Sequence, residues 1–95
     1  MSLEILEKKP VAGKTKPYPN YRVILLNDNH NTIEHIEVSL TKHIPGMSSD
    51  KAHQLALKAR NEGVAIVWTG PKEVAEMYYE LLKSERLEVS IEPEV

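Results

Sequence analysis

Val23-Ile24-Leu25-Leu26 are four consecutive apolar residues that stop at a polar segment, Asn27-Asp28-Asn29-His30-Asn31-Thr32. Successive side chains of a strand point to opposite faces, so a continuous apolar run is buried on both and belongs in the middle of a sheet. We place this strand at Tyr21 to Leu26. The polar segment turns the chain into a helix, with several short hydrogen-bonding side chains gathered at the end of an apolar strand. On its residues alone the turn reads two ways. Its side chains satisfy backbone groups and cap the helix, or they converge on the polar end of a ligand.

The first helix is expected from about Thr32 to Ile44. Asn31 with Glu34 three residues on resembles a capping box, and Ile33, Ile36, Leu40 and Ile44 form one apolar stripe. Pro45-Gly46 stops it. Ser48 or Ser49 opens a second helix, with Asp50 near its positive end and Ala52, Leu55, Ala56 and Ala59 facing inward. Gly63 ends that helix. A second strand follows over Val64 to Trp68. Gly70-Pro71 opens a third helix with Pro71 at its first position, whose buried face is Val74, Tyr78, Leu81 and Leu82. Leu87, Val89 and Ile91 alternate with Glu88, Ser90 and Glu92 as a strand with one wet face. The order β-α-α-β-α-β predicts an α+β fold, a small, mainly antiparallel three-stranded sheet with three helices on one face.

Length and charge narrow the function. Ninety-five residues suit one small domain, here residues 21–95. Twelve basic and fourteen acidic residues give a net charge of -2, so no nucleic-acid partner is expected. The longest apolar run falls far below the ~20 residues of a membrane span. A soluble, cytoplasmic, monomeric protein is the expectation. Cysteine is absent, which removes thiol chemistry and Cys-based zinc sites. His30, His35, His43 and His53 lack a metal-ligand spacing, and His35 and His43, about 12 Å apart along a helix, cannot share an ion. No serine elbow or Gly-rich phosphate loop is present, so neither a cofactor nor an enzyme is expected. Residues 1–20 intersperse Lys8, Lys9, Lys14 and Lys16 with Pro10, Pro17 and Pro19, which predicts a flexible extension.

The chain from about Tyr21 to Glu92 resembles the ClpS family, adaptors of the Clp protease. The resemblance rests on Tyr21-Arg22-Val23-Ile24-Leu25-Leu26-Asn27-Asp28, the stripe begun by Ile33, Gln54-Leu55 with Gly63 eight residues on, Ala65-Ile66, and Glu73-Val74-Ala75-Glu76. Ile44-Pro45-Gly46-Met47 is similar to the cyanobacterial and plastid branch. The resemblance implies a module that holds the N-terminal residue of a substrate, an N-degron, and delivers it to a Clp AAA+ unfoldase of the ClpC or ClpA type. Asn27 and Asp28 then fall on positions that hold the α-amino group, with Asn29 and Asn31 beside them. Ile33 takes the gate position, and Ile36, Ala56, Ala59 and Leu87 the pocket wall. Glu73 and Tyr78 fall on unfoldase-docking positions, and the Lys/Pro-rich extension becomes the segment offered to the unfoldase channel.

Arg60 departs from the family, whose pocket histidine falls at this position. A neutral imidazole can accept a hydrogen bond from an amino group, whereas guanidinium only donates and stays charged. Arg60 could turn to solvent, pair with Asp28, or yield to His53 through a register shift. The substitution also admits a rival role, a regulator that binds the unfoldase with altered or lost terminus recognition. A ribosomal-stalk-type interaction domain and a small hydrolase are further rivals.

Overall fold

A computed structural model of the chain describes residues 19–95. The expected extension lies almost wholly outside them. Three strands and three helices follow in the order β1 (Tyr21–Leu26), α1 (Ile33–His43), α2 (Ser49–Glu62), β2 (Val64–Gly70), α3 (Lys72–Ser84) and β3 (Val89–Pro93). The sheet order is β2-β1-β3, both neighbours antiparallel to β1. The strand with apolar residues on both faces is thus the central one. Val23 and Leu25 are fully buried with Ala65, Val67 and Val89 on the helix-covered face. On the other face Ile24 and Leu26 sit opposite Ile66 and Val64, which are about half exposed. Helices α2 and α3 lie on the sheet, and α1 packs against both.

The ends of the elements carry most of the differences from expectation. Thr32, not Asn31, caps α1, its hydroxyl accepting from His35 N–H at 3.0 Å. Asn31 cannot serve because its side chain is bonded elsewhere, as shown below. Ile36, Leu40 and Ile44 are buried and Ile33 partly so, as the stripe requires. The buried Ser39 on the same helix donates its hydroxyl to His35 O at 2.8 Å, so no polar group is stranded. Ser48 caps α2, and Gly63 ends it in the left-handed conformation at φ 96°. Ala52, Leu55, Ala56 and Ala59 are all buried.

Strand β2 runs two residues past its expected end at Trp68. Its pairing with β1 jumps from Trp68 to Ile66 between Val23 and Ile24, leaving Val67 as the extra residue of a bulge. Such a bulge re-aims side chains. The Trp68 indole folds back over Gly70, where a Cβ would come within 2.2 Å of the ring. The same ring meets that of Tyr78 edge-on, ring centroids 5.0 Å apart. Pro71 is the cap residue of α3 rather than its first helical position. On that helix Ala75, Tyr78 and Leu82 are buried, while Val74 and Leu81 are half-buried. Leu87 precedes β3 instead of starting it, yet is buried in the core.

Candidate functional site

The turn after β1 is fastened to the residues just ahead of both neighbouring strands before it bends. Leu26 N–H donates to Glu88 O at 2.8 Å and Asn27 N–H to Gly63 O at 3.0 Å. Asp28 then organises the bend. Its Oδ1 accepts from the N–H groups of His30 at 2.7 Å and Asn31 at 2.8 Å, and its Oδ2 accepts from Asn31 Nδ2 at 3.1 Å. Partial burial alone would raise the Asp28 pKa. The bonds from the Asn31 side chain and the two N–H groups, with the nearby His30, outweigh that and hold it below the ordinary carboxylate value. Three of roughly four carboxylate lone-pair sites are therefore occupied. The turn performs its own backbone accounting and still presents a charged group with one acceptor direction open.

Asn31 is the hub of the site. Besides Asp28, its Nδ2 donates to Arg86 O at 2.9 Å, and its own carbonyl accepts from Arg60 Nη2 at 3.0 Å. Arg60 thus meets the turn itself, and it bonds a carbonyl rather than Asp28. Gly63 keeps its expected place, and His53 on α2 pairs with Glu37 of α1, so the suggested register shift does not occur. Arg86 was not foreseen. It stands at φ 67°, the left-handed region usually left to glycine. Arg86 N–H bonds Lys83 O at 2.9 Å and Leu87 N–H bonds Leu82 O at 3.2 Å, the pair of bonds that closes a Schellman helix end. That conformation aims the Arg86 carbonyl at Asn31.

A second fastening braces the same helix end. His35 Nε2 lies 2.7 Å from Glu85 O, so it is the donor there. Glu85 Oε2 meets His43 Nε2 at 2.7 Å and Lys42 Nζ at 3.2 Å. The bonds from His43 and Lys42 lower the Glu85 pKa. Among the described residues no three His, Cys, Asp or Glu side chains converge to hold a metal ion. No helix among them is long and apolar enough to cross a membrane.

The remaining candidates fall into two places. Ile36, Ala56, Ala59 and Leu87 belong to one buried cluster, and Ile33 packs against it half-exposed. Asn27 and Asn29 are exposed and Asp28 half-buried. Glu73 is exposed at the start of α3 and lines an open hollow of about 500 Å³ with Pro19, Asn20, Tyr21, Pro71 and Lys72. Lys72 Nζ lies 5.7 Å above the Tyr21 ring there. Tyr78 corrects the expectation of a docking residue: it is 8% exposed, its ring against Trp68, and belongs to the core. The helical period that placed it on the buried face prevails.

The family model of the ATP-dependent Clp protease adaptor protein ClpS matches residues 16–90. The chain is 50% identical over 80 residues to the ATP-dependent Clp protease adapter protein ClpS of Thermosynechococcus vestitus, covering 83% of this chain and 85% of that one. It is 42% identical over 94 residues to the protein of the same name from Gloeobacter violaceus, covering 99% of each. Its structure is similar to that of Agrobacterium tumefaciens ClpS2 bound to L-phenylalaninamide, with a TM-score of 0.72 and 30% identity over 80% of this chain and 98% of that one. With a family model matched over most of its length and relatives at 42–50% identity, the chain belongs to the ClpS family of Clp protease adaptors.

Proposed function

We propose that the chain is an adaptor that binds the N-terminal residue of substrate proteins and delivers them to a Clp AAA+ unfoldase. The observation that carries this is Asp28, a charged carboxylate fixed by three hydrogen bonds in the turn that leads into α1, the helix that brings Ile33 and Ile36 to the apolar cluster containing Ala56, Ala59 and Leu87. An N-terminal residue is an ammonium group one carbon from a side chain, so it requires an anion next to an apolar lining. L-Phenylalaninamide, carried by the similar structure, has that form. In this reading Asn27, Asp28 and the exposed Asn29 face the amino group, and Ile33 guards the apolar space. Asn31 acts from behind, by positioning Asp28.

Glu73 is the residue we assign to docking on the unfoldase, near Tyr21 at the start of β1, while Asp28 follows its end. A strand of this length separates them by roughly 17 Å, so substrate and unfoldase can be held together. The cyanobacterial relatives and Ile44-Pro45-Gly46-Met47 favour a ClpC-type unfoldase and a cytoplasmic setting. One observation favours a second role, a regulator with weakened terminus binding: Arg60 presents only donors where an ammonium needs acceptors. Reconstituted degradation separates the two. Substrates beginning with Phe or Leu should be degraded by a ClpC-type unfoldase and its peptidase only when this chain is added. Inhibition of degradation, with no such stimulation, would replace delivery by regulation.

A further inference from the structure

Two successive carbonyls at the end of α3 are held by side chains from the start of α1. Arg86 O accepts from Asn31 Nδ2 at 2.9 Å, and Glu85 O from His35 Nε2 at 2.7 Å. Glu85 caps α3 and Arg86 follows it in the left-handed conformation. Carbonyls at a helix end lack partners within the helix, and here α1 supplies them. His35 is itself fixed in the first turn of α1: its N–H donates to Thr32 Oγ1 at 3.0 Å, and its carbonyl accepts from Ser39 Oγ at 2.8 Å. Asn31 carries the effect to the site. Its amide has two N–H donors, one spent on Asp28 Oδ2 at 3.1 Å and the other on Arg86 O. Turning that amide over would set its oxygen against two acceptors, so the pair of bonds fixes its orientation. If the Arg86 carbonyl moves away, Asn31 is released from one side and its hold on Asp28 loosens.

Resting on the terminus-binding reading, we infer that His35 is a positioning residue for that site: its hydrogen bond to Glu85 O keeps the Arg86 carbonyl against Asn31 and so fixes the Asp28 carboxylate that meets the ammonium. The chain of contacts runs from His35 through Glu85, Arg86 and Asn31 to Asp28, and every link is a hydrogen bond or a peptide bond. A carbonyl only accepts, so Nε2 carries the proton whether the ring is neutral or charged, and the donor is constant. His35 touches no ligand in this account. It acts by reducing the freedom that Asp28 and Asn31 would otherwise lose on binding, which is how preorganisation raises affinity.

The test is fluorescence anisotropy on the full chain with one labelled peptide that begins with Phe and has a free α-amino group. His35→Ala should weaken binding about threefold, the worth of part of one hydrogen bond. His35→Leu, bulky but without a donor, should be as weak as His35→Ala. His35→Gln, whose amide nitrogen matches the reach of Nε2, should restore the wild-type affinity. In an Asn31→Ala background His35→Ala should cause no further loss, because the coupling passes through the Asn31 side chain. His35 is half-buried, far-UV circular dichroism checks the folding of each variant, and Ala carries the comparison should Leu disturb the packing. An unchanged affinity in folded His35→Ala, a Gln variant no tighter than Ala, or an equal loss in the Asn31→Ala background would overturn the inference and leave terminus binding standing. Failure of the wild-type chain to bind the peptide would overturn both.

Discussion

Replacing Asp28 by Ala or Asn separates what the turn does for itself from what it offers a ligand. Asp28→Ala removes the acceptor for the His30 and Asn31 N–H groups and for Asn31 Nδ2, at 2.7, 2.8 and 3.1 Å. Each such bond contributes about 0.5–1.5 kcal/mol net, and water can take over part at a half-buried site, so the loss should be about 2 kcal/mol. For a domain of this size that lowers the melting temperature by roughly 8–16 °C. Asp28→Asn keeps an oxygen for the two N–H groups and gives up the charge and the Asn31 side-chain bond, for about 1 kcal/mol. Both lose the anion that an ammonium would meet, so both should bind a free N-terminus at least tenfold more weakly. Urea and thermal unfolding followed by circular dichroism give the first comparison, and peptide anisotropy the second. A melting temperature within 2 °C of wild type for Asp28→Ala would refute the claim that this carboxylate holds the turn. Undiminished peptide binding by a folded Asp28→Asn would refute its role toward the ligand.

Acid should act through the same groups. Asp28 and Glu85 have folded pKa values below those of the unfolded chain, about 3.9 and 4.3, so unfolding takes up protons as pH falls. Their contribution should be whole above about pH 5 and decline below it as each folded-state value is passed, and urea midpoints from pH 7 to pH 3 should show a smaller fall in Asp28→Asn. Arg86→Gly relieves a left-handed non-glycine residue at φ 67°; against about 1–2 kcal/mol of relief stands the backbone entropy of Gly, leaving a stabilisation of about 0.5–1 kcal/mol in the urea midpoint. Gly70→Ala sets a Cβ 2.2 Å from the Trp68 ring. Its strain should cost about 1–3 kcal/mol and shift Trp68 fluorescence as the ring leaves Tyr78.

Much of the fold was legible because it depends on neighbours in the chain. The apolar run at Val23–Leu26 identified the central strand, the alanines of α2 identified a buried face, and Gly63 identified its end. The shift of the α1 cap from Asn31 to Thr32 was not legible, because Asn31 is claimed by a carbonyl 55 residues away. Nor was Arg86, since left-handed helix ends are signalled by glycine and this one carries none. Tyr78 drew two readings, core from the helical period and docking from the resemblance. Its contact with Trp68 depends on a β2 bulge that no local pattern announces. Arg60 stood out as a departure, but its bond to the Asn31 carbonyl required knowing where α2 ends relative to the turn.

Terminus recognition by the Asn27–Asn31 turn is the central claim, and direct titration reaches it most simply. Fluorescent peptides beginning with Phe, Leu, Trp or Tyr should be titrated with the full chain, each with a free and an acetylated α-amino group. The account predicts that the free forms bind and that acetylation, which removes the charge that Asp28 meets, weakens binding at least tenfold. Equal binding of the two forms, or preference for the acetylated one, would contradict it and turn attention to Arg60 as the ligand's principal partner.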